Sequence, residues 1–400
     1  MLTLQQLKNT YSNERVILVL LARLHFNTVT LPEVNDFIAN HTIDWALAHK
    51  LCKAHGVRPF IYYIIKQHNI STIPAFENRL QKNYNISRYK NLRLAITTSK
   101  LINDFKEKGI KIIPYKGTVF GHSYYPDIAL RESSDIDFLI DINDVKAVED
   151  YFISNNYSPK TTIPRGYLNY YKTFFKDIVY QTPGDDAFSV EMHWRLMEHF
   201  SGSYPGYQFF IPHLENYTLG GLHANKLSPT YDMLVVISNH FVKDMSIKFK
   251  YLVDIACLIQ KENSTIDKNV VFETAVKYGF MKKLEMGLAL TESLLGVSLN
   301  GTPKAAIPDT YLQVPLALPL HLPRLYINEP EFIKRSLQLQ DSDAGRFKFV
   351  LKCLKYAFLP TYEDINQLKL PAYCLPFIIV ARPFRLAYQK LSAGSNKKPL

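Results

Sequence analysis

Cysteine is scarce in this 400-residue chain, and the scarcity excludes several classes of protein. Cys52, Cys257, Cys353 and Cys374 stand far apart with no CxxC pair, so neither a disulfide framework nor a zinc site is indicated, and reduced core thiols are expected. Long apolar runs are missing too. Residues 16–21 are too few for a signal-peptide core or a membrane span, and Glu14 and Arg15 stand directly before them. Residues 370–381 are interrupted by Pro371 and Pro376, which suits a buried segment or one that touches a membrane surface. A cytoplasmic protein with no membrane span is expected. There is no repeat at solenoid periods, and the lysines are spread out rather than run together.

What is present is a globular mixture, 47% hydrophobic and 21% charged, long enough for two or three domains with a substantial core. The net charge of +11 permits a polyanionic partner such as a nucleotide, RNA or an acidic lipid surface, and it equally suits a solvated basic exterior.

Residues 1–85 read as an N-terminal helical region, with short amphipathic helices over 44–55 and 58–68. A longer helix is expected from about Ile86, with Leu94, Thr98, Leu101 and Phe105 on one stripe and Gly109 as its terminating residue. Residues 110–115 then read as a strand, and Lys116, Gly117 and Thr118 turn the chain into a short helix. Asn143 is placed to cap a helix with Val145, Val148 and Phe152 inward. Residues 170–181 and 187–196 read as two strands joined by a turn over Thr182–Asp186. From 228 to 400 the pattern is mainly helical, including 231–241, 249–260 and 271–295, with a proline-rich connection at 303–330 and a polar tail from Ser392.

The chemistry concentrates in the stretch RESSDIDFLID, residues 131–141. Ile136, Phe138 and Ile140 share one face of a strand, and Asp135, Asp137, Leu139 and Asp141 the other. Side chains at i and i+2 of a strand stand roughly 6.5–7 Å apart at their bases, so Asp135 and Asp137 can lean together onto hard cations. Glu191, on the polar face of a later strand, is the natural third acid for a pair of metal ions. A small-residue turn that opens a helix supplies free N–H groups and a hydroxyl for a triphosphate, and Gly117 and Thr118 form one. Glu191 can instead pair with Arg195, and Lys116 and Arg131 can be salt-bridge partners of the acids. Replacing either Asp135 or Asp137 by Asn is expected to relieve like-charge repulsion and leave the metal-free protein as stable as before.

This constellation resembles the polymerase-β-like nucleotidyltransferase superfamily. More narrowly, IPYKGTVFGHSYYPDIALRESSDIDFLID followed by VEMHWRL is similar to an uncharacterised bacterial nucleotidyltransferase family, and weaker likeness continues through His240 and Asp254. The resemblance implies an α+β fold: a polymerase-β-like core over 86–227, a small mixed sheet with flanking helices, set between the helical regions 1–85 and 228–400. It also implies that Asp135, Asp137 and Glu191 bind two Mg2+ ions, or Mn2+, and that Lys116, Gly117, Thr118 and Arg131 hold an NTP. His193 would support the acids through a hydrogen bond. A nucleoside monophosphate would pass to an acceptor hydroxyl of a protein, an RNA or a small molecule, and the helices after 228, with Lys243, Lys248 and Lys250, would face that acceptor. The departures are Lys116-Gly117-Thr118 in place of Gly-Ser and a gap of 18 residues from Gly117 to Asp135. A glycosyltransferase also uses Asp-x-Asp to hold a metal, though it normally carries a larger α/β domain before the motif. A nucleotide-binding module without catalysis is the other alternative.

Overall fold

Helices open the chain where the sequence carries start signals. In the computed structural model, which describes every residue except 161–162, 165, 198–203, 220, 301–306, 318–329 and 396–400, Thr3 and Thr30 form capping boxes with Gln6 and Glu33. Asp44 caps the helix Trp45–His55 by accepting from the N–H groups of Ala46 and Leu47, and Gly56 ends it at φ 67°. The apolar run 16–21 lies in the helix Asn13–His25, where Val16, Ile17, Leu18, Val19 and Leu21 are fully buried, so the run is enclosed on every side. Among the described residues no helix is long and apolar enough to cross a membrane.

The helix expected from about Ile86 begins at Pro74 and runs to Glu107, crossing residue 85. Proline in the first turn lacks only an N–H that the helix does not use, so the start lies earlier than the hydrophobic stripe suggests. Beyond it lies a small mixed sheet of β1 (Ile112–Pro114), β2 (Asp135–Ile140), β3 (Ser158–Pro159), β4 (Asp177–Gln181) and β5 (Ser189–His193), in the order β1-β2-β5-β4-β3. Only β2 and β5 pair in parallel; the other neighbours are antiparallel. The protein is thus α+β, and helices predominate.

One sheet face, with Ile136, Phe138, Ile140, Val190 and Met192, is covered by Leu94, Leu101 and Phe105 of the long helix and by Val145, Val148 and Phe152 of the helix Val145–Ser154. Leu139 and Ile113 point the other way, into a larger core shared with the N-terminal and C-terminal helices. The sheet is therefore enclosed by one set of helices and approached on its acidic face by another.

Four local expectations are corrected. Asp141, not Asn143, caps the turn before Val145, accepting from the Asn143 N–H at 2.8 Å. The first half of the expected strand 170–181 is a helix, Leu168–Phe174, because Tyr167, Tyr170 and Tyr171 pack on Ile365 and Ile378 from the far end of the chain. The expected helix 271–295 is two, Lys268–Tyr278 and Met281–Leu295, parted by Gly279 at φ 73°. Ser392–Ser395 belong to the last helix, Leu375–Ser395. In the proline-rich stretch, Pro303, Pro319 and Pro323 lie outside the described residues, whereas Pro308 caps the helix Asp309–Leu312, Pro315 sits in the tight turn Val314–Leu316 and Pro330 opens the helix Pro330–Gln338.

Candidate active site

Parallel pairing of β2 with β5 sets Asp137 directly opposite Glu191 and Asp135 opposite Ser189. Side chains of paired residues share a sheet face, so Asp135, Asp137, Glu191 and His193 stand together while Ile136, Phe138, Val190 and Met192 enter the core behind them. His193 lies between the acids: its Nε2 is 3.1 Å from Asp137 Oδ1 and 3.2 Å from Glu191 Oε2. Carboxylate oxygens flank Nε2 on both sides, so a proton on that nitrogen serves both. His193 accordingly orients the two acids, and it can offer Nε2 to a metal only by giving up that proton. Ligating atoms of Asp137, Glu191 and His193 all lie within 4.8 Å of one another. Glu191 is thus directed at His193 and Asp137, while Arg195 donates to the Thr173 carbonyl at 2.8 Å.

The two aspartates differ electrostatically. Burial and the adjacent charges of Asp137 and Glu191 push the Asp135 carboxyl up. Burial would raise Asp137 as well, but Lys116 Nζ at 3.1 Å and His193 hold it well below the usual carboxylate range. Clustered carboxylates of which one is pushed up by its neighbours form a donor set suited to a hard divalent cation.

Next to the acids lies the glycine turn. The Tyr115 N–H donates to the Asp137 carbonyl at 3.2 Å, which sets the start of the turn against β2. Lys116 follows at φ 56°, ψ −147°, close to a region populated almost only by glycine, and Gly117 at φ 48° opens the helix Gly117–Tyr124. A Cβ on Gly117 would meet the Asp135 carbonyl oxygen at 3.4 Å. Lys116 reaches back to Asp137, and Thr118 is buried in the first helical turn.

Arg131 stands on the far side of this turn. One guanidinium nitrogen donates to the Gly117 carbonyl at 3.1 Å, and two others grip Asp254 at 2.9 and 3.0 Å. Asp254, fully buried, also accepts from Tyr125 at 2.6 Å and meets His240 Nε2 at 2.7 Å. His240 and Asp254 therefore brace the turn from behind and lie apart from the acidic cluster. Lys250 donates to the Glu132 carbonyl, and burial lowers its pKa to about 8. It is part of this packed layer rather than of a solvated helix face.

Sequence reasoning missed Asp177. It pairs with His193 across β4 and β5, with Oδ2 3.4 Å from the second ring nitrogen, and it carries an ion pair with Lys176. Burial opposes its charge, but Lys176, His193 and Lys243 hold its carboxyl down. Counting back from the Thr182–Asp186 turn would set Asp177 opposite Glu191, but the hairpin pairs Gln181 with Ser189, which sets it opposite His193 on the same face. A cavity of about 630 Å³ opens at the other end of β2 and β5, bordered by Asp141, Trp194, Arg195, Tyr207 and Lys352, and none of the acidic cluster lines it.

Residues 41–296 match the model of a family described as uncharacterised nucleotidyltransferase. No curated protein matches the chain. Among solved structures, an antigenic nucleotidyltransferase-like protein from Paracoccidioides brasiliensis is similar at 13% identity and a TM-score of 0.30, over 52% of this chain and 93% of that one.

Proposed function

The chain belongs to the uncharacterised nucleotidyltransferase family, and from that premise we propose that it moves a nucleoside monophosphate from an NTP to an acceptor hydroxyl, releasing pyrophosphate. The observation that supports this most is the pairing of Asp137 with Glu191 on parallel strands, with Asp135 on the same face and a strained glycine turn beside them. In this reading the sheet and its flanking helices form a polymerase-β-like core.

Asp135, Asp137 and Glu191 would hold Mg2+, or Mn2+, in a pair of ions that neutralises the triphosphate and acidifies the acceptor hydroxyl. His193 keeps the Asp137 and Glu191 carboxylates turned toward each other. The first N–H groups of the helix Gly117–Tyr124 have no partner within the helix and suit phosphate oxygens. Lys116, at the same turn, can pass from Asp137 to a phosphate when a cation takes over the aspartate. Arg131 contributes at one remove, by holding the Gly117 carbonyl. The acceptor oxygen forms a bond to the α-phosphorus, the bond to the bridging oxygen breaks, pyrophosphate leaves with the electron pair, and the hydroxyl proton passes to a nearby carboxylate or to water. The helices after 228 cover the acceptor side.

The test is to incubate the purified protein with each α-labelled NTP and Mg2+ or Mn2+, then to read pyrophosphate release and the masses of candidate acceptors, the protein included. A gain of one nucleoside monophosphate that disappears in Asp137→Asn supports the reading. Turnover of a sugar nucleotide with no NTP consumption would replace it.

A further inference from the structure

Two neighbouring helices of the C-terminal region each bury one face and leave a stripe of large apolar side chains in solvent. On Asp343–Phe358 the stripe is Phe347, Leu351, Leu354 and Phe358, spaced three and four residues apart. The opposite side of that helix carries Phe349 and Cys353, which pack with Phe332 and Met245. On Leu375–Ser395 the exposed set is Phe377, Val380, Phe384 and Tyr388, with Phe377 67% and Phe384 73% exposed. Its inner side carries Ile378, packed with Tyr167 and Tyr171, and Arg382, which donates to Asp364 at 2.8 Å. Arg382 also donates to the Tyr356 carbonyl, which ties the two helices together.

Rings and leucines with this much exposure, repeated over several turns of two helices, exceed the scattered apolar residues of an ordinary surface. Charge narrows the choice of occupant. The helix Leu375–Ser395 carries no acid, though its Arg382 and Arg385 are both taken up by Asp364, and Asp343–Phe358 sets Arg346, Lys348, Lys352 and Lys355 against Asp343 alone. Lys348 and Lys355 are exposed beside the stripe, and neither forms an ion pair with a carboxylate among the described residues. An apolar stripe with basic flanks and almost no acids is the pattern of a helix that lies in the plane of an anionic bilayer. A second copy fits poorly, because a two-fold contact would set the lysines against one another with no acids to meet them. Neither helix is long and apolar enough to cross a membrane, and Pro383 lies inside the longer one.

We propose that these two helices dock the protein on an anionic membrane surface, with their apolar stripes among the acyl chains and the exposed Lys348 and Lys355 at the headgroups. The inference is independent of the transfer reaction.

The test is co-sedimentation of the full chain with vesicles of phosphatidylcholine alone and of equal parts phosphatidylcholine and phosphatidylglycerol. Binding is expected to the second kind only and to weaken as salt rises. Phe377→Ser with Phe384→Ser, and separately Lys348→Glu with Lys355→Glu, should each lower binding by about tenfold or more at unchanged melting temperature, since these side chains are exposed. The proposal is overturned if the wild type stays in solution with the anionic vesicles, or if both double variants bind as it does. It is overturned as well if sedimentation velocity shows a dimer that Phe377→Ser with Phe384→Ser dissociates, which would assign the face to a second copy.

Discussion

Asp135→Asn and Asp137→Asn, identical in chemistry and two residues apart, should move stability in opposite directions. Asp137 is 7% exposed and is met at 3.1 Å by both Lys116 Nζ and His193 Nε2. Its Asn variant keeps the volume but leaves a nearly buried ammonium without its counter-charge. A hydrogen bond to a charged group contributes roughly 1.5–3 kcal/mol, and one-sided removal of a buried ion pair costs roughly 3–5 kcal/mol. Because the Lys116 side chain keeps some contact with solvent, a loss of about 2–3 kcal/mol is expected for Asp137→Asn in the metal-free protein. Asp135 is pushed up by burial and by two neighbouring carboxylates, so Asp135→Asn removes a disfavoured charge and should be neutral or slightly stabilising. The two substitutions are therefore not expected to act alike. The pH dependence follows from the signs of the shifts. The depressed Asp137 stabilises the fold above its unfolded pKa, near ~3.9, and that contribution disappears as pH falls through its lower folded value. The raised Asp135 destabilises at neutral pH, an effect that fades as pH falls through its raised folded value toward the unfolded one. The gap between the variants should therefore be widest near pH 7 and close toward acid. Urea denaturation in EDTA across that range is the assay. Equal losses in the two variants, or a larger loss for Asp135→Asn, would refute the electrostatic description of the site.

Three further predictions concern the turn and its brace. Gly117→Val forces a β-branched residue to φ 48° and should raise the apparent NTP dissociation constant, read by titration with Mg2+ present, while Thr118→Ser changes it little. Lys116→Gly and Lys116→Met both remove the ammonium, but glycine also relieves the backbone, so the Gly variant should be the more stable of the two in thermal melts, by about 1 kcal/mol. Asp254→Asn should cost roughly 3–5 kcal/mol in urea denaturation, because Arg131 is left buried opposite an amide, and pairing Asp254→Leu with Arg131→Met should cost less than Asp254→Asn alone.

Much of the site was legible because a strand has a period of two. Once residues 135–140 and 189–193 are strands, the polar faces bearing Asp135, Asp137, Glu191 and His193 follow. Gly109 and Asp44 marked helix ends for equally local reasons. What the sequence did not reveal depends on contacts between distant segments. The brace on Gly117 joins Arg131 to Asp254 across 123 positions, and no local pattern reports such a pairing. The helix Leu168–Phe174 reads as a strand from its aromatic content, and it coils because residues near the C-terminus offer its tyrosines a place to pack. The pairing of Asp177 with His193 was missed because the hairpin runs two residues out of step with the turn over Thr182–Asp186.

The Arg131–Asp254 pair also bears on whether this protein can be divided. A chain cut after the last strand would keep the acids, the glycine turn and the sheet, yet it would strand a guanidinium, 5% exposed in the intact fold, behind that turn with no anion to meet it. Tyr125 would lose the same acceptor. The segment that carries the chemistry is therefore not a freestanding module to be grafted onto other proteins. Its helical companion completes its interior, and the two are expected to melt in a single cooperative transition and to have diverged together.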